Sequence, residues 1–281
     1  MKQIKWLTVV VGLALASAVR ADPPVVVTFE AAGANVAAIT PSRDAFRAVV
    51  GGGTAAGANG SFGGLRREIN WDGVPDAQAD PNSFSANFFN VNSPRGVVFS
   101  TPGTGFLVSA NAGQSAPVLF GFPNDFQVFS AQRLFTAVNS NITDVRFFVP
   151  GTTTATTTTA FGLVFVDVEV AGSSRLQFFD VNDVQIYSHD ALVAGNQGLT
   201  FLGATVDGAA IARVRITSGS DTLVSNGVRG NPLADLVVMD DFLYAEPLQA
   251  VPEPSTFALT GLGLLAAFAA QRRRRGAERR R

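Results

Sequence analysis

Between residues 22 and 250 the apolar positions come in short runs, punctuated by Gly, Asn, Asp, Ser and Pro. The runs are rich in Val, Phe, Ile and Thr, side chains that fit a pleated, half-buried surface. Their punctuation marks turns. Strands are predicted at 25–30, 68–71, 97–101, 106–110, 126–129, 142–149, 161–170, 176–179, 185–188, 199–202, 211–217 and 236–244. Within 211–217, Val214 and Ile216 fall on one face and Arg213 and Arg215 on the other, the alternation of a strand with one wet face. The spacing predicts an all-β domain, a single jelly-roll-like β-sandwich. One short helix is predicted over 41–50, with Ser42 as its N-cap. Residues 51–64 hold seven glycines without the lysine of a phosphate-binding loop, so they read as a plain loop. The threonine run at 152–159 reads as a solvated strand or edge, ahead of a glycosylated segment.

The two ends differ from this middle. Lys2 and Lys5 precede an apolar stretch at 7–16 and then small residues, the layout of a secretory signal peptide. Cleavage fits after Ala18 or Ala21; Ala21 is preferred because Asp22-Pro23-Pro24 then opens the mature chain. At the other end, Pro252-Glu253-Pro254 leads into an uncharged stretch and then Arg272, Arg273, Arg274 and Arg275, with three more arginines at 279–281. Residues 256–270 would make about 22 Å of helix. A bilayer core is roughly 30 Å thick, so this transmembrane helix is short for a permanent anchor, although arginines can snorkel. The arginines are expected on the cytoplasmic side.

This three-part tail resembles the PEP-CTERM sorting signal of Gram-negative bacteria. The resemblance implies a protein exported by the general secretion machinery and held for a time in the inner membrane. An exosortase would then cut it near Pro-Glu-Pro and release it to the cell surface or an exopolysaccharide matrix. An ordinary tail anchor is the alternative. The segments are thus 1–21 (signal peptide), 22–250 (exported domain) and 251–281 (sorting signal).

Charge sharpens the picture. The whole chain carries −1, but residues 22–250 hold eleven arginines, no lysine and twenty acidic residues, a net −9. An acidic domain argues against nucleic acid as a partner. The absence of cysteine rules out disulfides and thiolate chemistry.

Catalysis has little support. His189 is the lone histidine, and adjacent strand residues alternate faces, so Ser188 and Asp190 would point away from it. An extracellular glycoside hydrolase with paired carboxylates is the alternative to a non-enzymatic surface or matrix protein. The main candidate site is the last strand. Strict alternation puts Leu236, Val238, Phe242 and Tyr244 on one face with Asp240 interrupting them, and Asp241 on the other. A buried carboxylate needs a partner, and calcium is one. Leu236–Tyr244 resembles the Asp-Asp-Phe closing strand of calcium-bearing carbohydrate-binding jelly rolls, which implies Glu30 on the first strand as a further ligand. A salt bridge, or a strand end open to water, is the alternative. Asn70, Trp71 and Asp72 are candidate glycan contacts, with Trp71 stacking on a sugar; otherwise Trp71 is core and Glu68 pairs with Arg66 or Arg67. Asp180 and Asp183 read as a hairpin turn.

Overall fold

The computed structural model describes residues 24–61, 66–207 and 210–247. The signal peptide, Pro-Glu-Pro motif, 256–270 segment and arginine tail lie outside them. No helix among the described residues is long and apolar enough to cross a membrane. The elements run β1 (Val25–Gly33), α1 (Val36–Val50), β2 (Arg66–Ile69), α2 (Phe88–Val91), β3 (Val97–Ser100), β4 (Gly105–Val108), β5 (Phe135–Val138), β6 (Ile142–Phe147) and β7 (Ala160–Val166). Then follow β8 (Arg175–Phe179), β9 (Gln185–Asp190), β10 (Leu199–Asp207), β11 (Arg213–Thr217), β12 (Leu223–Ser225), β13 (Val228–Arg229) and β14 (Val238–Ala245).

The strands form a sandwich-like all-β fold. One sheet runs β1-β10-β7-β14-β5-β12-β13, with β2 added to β14 and β4 to β5; the other runs β3-β6-β11-β8-β9. An inner core, including Trp71, Phe135, Phe161, Phe178 and Phe242, fills the space between them. Along one open side the sheets are joined by Thr28 Oγ1 to Tyr187 OH at 3.1 Å and by Glu30 to His189 at 2.9 Å.

The larger sheet is covered on its other face as well. Helix α1 and the segment around Phe120, Phe126 and Phe129 enclose a second core with Val164, Val166, Phe201 and Leu243. This explains the continuous apolar run of β7, buried along its whole length, as expected for a strand with no wet face. Gly162 and Gly203 sit opposite each other on β7 and β10. A Cβ on Gly203 would lie 3.1 Å from the Phe201 ring and 3.2 Å from Phe46, so the bare backbone makes the seat for these two rings. They meet edge-on at 5.7 Å.

Three expectations are corrected. The helix starts earlier than 41, because Asn35 caps it by accepting from Ala38 N–H at 3.2 Å. Pro41 lies inside the second turn, where packing of Ile39 and Phe46 outweighs its missing donor. Residues 126–129 form no strand; they are a loop that lays Phe126 and Phe129 on the outer core. The threonine run is not simply solvated, since Thr156 and Thr158 are buried and their backbone N–H groups donate to the carbonyls of Phe147 and Ile211, each at 3.0 Å.

Replacing Phe46 with alanine removes the ring that fixes α1 to the sheet. Denaturant unfolding should show a loss of about 3–5 kcal/mol. A loss below about 1 kcal/mol would mean that the helix layer is not integral to the fold.

Candidate functional site

Strand β14 contains a bulge at Asp240-Asp241. Against β7, Met239 pairs with Phe165 and Phe242 with Leu163, so two aspartates oppose one residue. The bulge reverses the phase of the strand. Val237 and Met239 face the inner core before it, and Phe242 and Tyr244 after it. Leu236, Val238 and Leu243 face the outer core. Strict alternation is therefore overturned, and both aspartates come to the outer face beneath Phe129 and Ser130. On its other side β14 changes partner at the same place, from β5 at Met239 to β2 from Phe242 onward. The backbone of Asp240 falls in the fork between these strands.

Other groups fill the fork. The indole N–H of Trp71 donates to the Asp240 carbonyl at 3.1 Å. Asp240 Oδ2 accepts from the backbone N–H of Phe129 at 2.6 Å and of Ser130 at 3.2 Å. The Ser130 hydroxyl lies 2.8 Å from Asp241 Oδ1 and 3.2 Å from Asp240 Oδ1. Burial, then the neighbouring Asp241 charge, push the Asp240 carboxyl well above its ordinary 3.8. Burial also raises Asp241, opposed by the Ser130 hydroxyl. These contacts fit one shared proton: Asp240, fully buried, carries it on Oδ1 and donates to Asp241, while Oδ2 stays free to accept the two backbone donors.

Trp71 is 1 % exposed and is corrected from sugar platform to core residue. It stacks on Phe135 at 4.0 Å and meets Phe84, Phe89 and Phe242 edge-on. Its φ of 66° is rare for a bulky side chain. Asp72 is also engaged internally, accepting from Arg133 N–H at 3.0 Å. Asn70 remains exposed, and its carbonyl lies 3.3 Å from the Ser130 hydroxyl. Glu68 pairs with Arg66 at 2.6 Å and with both arms of Arg47 at 2.7 Å.

The expected calcium set is not assembled. Glu30 is in register with Leu202, Leu163 and Phe242 across the sheet. That places it three strands from the aspartates, about 14 Å away, on the opposite face, where it binds His189. His189 lies on β9, while Asp190 pairs with Arg175. Asp180 accepts from Asn182 and Val184 N–H at 2.8 and 2.9 Å, forming the expected turn. A separate trio, Asp167, Glu169 and Asp235, has oxygens within 4.8 Å of one another. Asp235 is spent on the N–H groups of Glu169 and Val170 and the Ser173 hydroxyl. Burial pushes Asp167 up to about 7.

Beside the aspartate pair a cleft of about 410 Å³ opens between α1, β2 and the bulge. Arg43, Arg47, Arg95, Glu68, Asn70 and Asp241 line it. Sequence reasoning missed the arginines and Ser130. Arg43 and Arg47 share a helix face four residues apart, but no spacing in the chain brings Arg95 to them.

Substitutions at 240 test the shared proton. Asp240→Asn keeps an acceptor for the backbone donors and a donor toward Asp241, so stability at neutral pH should hold or rise. Asp240→Ala strands two buried N–H groups and should cost about 2–4 kcal/mol. Because the folded carboxyl binds its proton more tightly than the unfolded one, wild-type stability should fall as pH rises from about 3.8 toward the raised folded value. Urea unfolding across pH should show this slope reduced in Asp240→Asn; an unchanged slope would exclude the shared proton as its source.

No curated protein and no solved structure matches the chain. Residues 250–275 match the family model of the PEP-CTERM protein-sorting motif, which marks this chain as a PEP-CTERM domain-containing protein, exported and sorted by an exosortase.

Proposed function

We propose that this chain is a non-enzymatic protein of the cell surface or exopolysaccharide matrix, displaying a jelly-roll-like sandwich whose cleft beside Asp241 binds glycan. The sorting motif at 250–275 carries the reading, since it directs the domain outside the cell. The polar lining of the cleft supports the glycan part: Asn70, Ser130 and Asp241 offer hydrogen-bonding groups at a concave surface. A glycoside hydrolase would need two carboxylates about 5–9.5 Å apart, both facing the scissile bond. Asp240 has no exposed surface and shares Ser130 with Asp241, which favours binding over hydrolysis.

Sorting is tested by replacing Pro252, Glu253 and Pro254 with alanine and fractionating the cells. The variant precursor should stay in the inner membrane at its uncut mass, with the surface fraction lost. Deleting 272–281 should instead impair membrane retention or orientation. A triple-alanine protein that reaches the surface at normal size would overturn the exosortase reading.

A further inference from the structure

The cleft is basic on a domain that is otherwise acidic. Around it stand four guanidinium groups, Arg43, Arg47, Arg66 and Arg95, against two paired carboxylates, Asp44 and Glu68. Asp241, the acceptor of the shared proton, adds a third carboxylate, so the guanidinium groups still outnumber the carboxylates. Two of the cations are incompletely satisfied. Arg95 spends its donors on the carbonyls of Gly57 (2.8 and 3.1 Å) and Glu68 (3.3 Å) and has no carboxylate partner among the described residues. Arg43 makes no hydrogen bond among the described residues. Its buried Nε is unpartnered, although Asp44 Oδ1 lies 2.8 Å away in unsuitable geometry, and its guanidinium rests over the Phe129 ring at 4.9 Å. Arg95 is thus partly desolvated without a carboxylate, and Arg43 has only the half-exposed Asp44 beside it and no hydrogen bond; a bound anion relieves that cost.

We infer that this cleft binds a carboxylate-bearing sugar, a uronic acid of an acidic polysaccharide, with Arg43 taking the carboxylate and Arg95 adding positive charge beside it. The assignment rests on the glycan-binding reading above and names its substrate class. A planar guanidinium offers paired N–H donors that match a carboxylate. Arg47 is not free for this role, because both its arms hold Glu68. Asn70 and the Asp241 carboxyl then face the sugar hydroxyls. Among the described residues no large aromatic side chain is exposed, which agrees with this mode: recognition rests on charge and hydrogen bonds.

Calorimetric titration of the mature protein at low ionic strength tests it, using tetragalacturonate, maltotetraose and sodium sulfate. Tetragalacturonate should bind at least about tenfold more tightly than maltotetraose, a difference of about 1.4 kcal/mol. Added salt should weaken it, as screening requires. Arg43→Gln should reduce tetragalacturonate affinity by roughly tenfold or more with at most a modest fall in melting temperature, because the side chain gives up its pairing with the half-exposed Asp44 and its place over Phe129 but no hydrogen bond. Equal affinity for the two tetrasaccharides would overturn the acidic-sugar assignment while leaving glycan binding intact. Sulfate binding as tightly as tetragalacturonate would overturn it in favour of a general anion site. If neither sugar binds, or if Arg43→Gln binds normally, the cleft is not the site. Surface delivery is judged separately by the triple-alanine variant.

Discussion

Two adjacent carboxylates buried near the middle of a sheet set the terms for everything around them. Ionising both side by side in a low-dielectric site would be prohibitive, so one must hold a proton and every remaining oxygen must find a donor. On a regular strand Asp240 and Asp241 would point to opposite faces, one of them into the phenylalanine-packed inner core. The bulge removes that conflict by turning both to the outer face. It also opens a fork between β5 and β2, which Trp71 closes by donating to the orphaned carbonyl. The 129–130 backbone is then held down by Asp240 itself. Bulge, left-handed Trp71 and docked loop are one solution to one electrostatic problem.

Helix α1 couples this arrangement to the cleft. Ile39 and Phe46 are its buried side, placed on the larger sheet over the paired glycines. Arg43 and Arg47 emerge on its flank, toward β2 and the bulge. The same packing that seals the outer core therefore aims the arginines. Glu68 fixes Arg47 from β2, so the helix is tied to the edge strand by charge as well as by the rings beneath it. Residues 22–250 carry a net charge of −9, so the arginines around this cleft are a local exception on an acidic domain.

The strands that sequence made legible are those whose alternation or length survives in the fold. The run at 161–170 became the doubly buried β7, and Val214 and Ile216 do turn inward from Arg213 and Arg215. What was not legible depends on partners distant in the chain. A bulge leaves no mark in the order Met239-Asp240-Asp241-Phe242, because only the facing strand shows that one residue is extra. Phe126 and Phe129 have strand-like neighbours, yet a strand there would displace the loop that satisfies Asp240. Pro41 signalled a helix start by local chemistry, and Asn35 overrode it because tertiary packing extended the first turns. Trp71 beside Asn70 and Asp72 matched a sugar-binding pattern as well as a core one. Five aromatic neighbours brought from 84, 89, 99, 135 and 242 made it core.

The position of the bulge also bears on sorting. Strand β14 is the last element of the domain, and Glu246, just beyond it, is buried against Arg67 at 3.1 Å. Only five residues separate Glu246 from Pro252, so the sorting motif follows β14 closely in the chain. That strand is central, hydrogen-bonded to β7 along one side and to β5 and β2 along the other. Pulling along it must shear two ladders at once, a geometry that resists local unfolding. A tail attached to an edge strand would peel it instead. By joining the sorting motif to the strand that also carries the buried aspartates, the chain attaches it to an element paired on both sides.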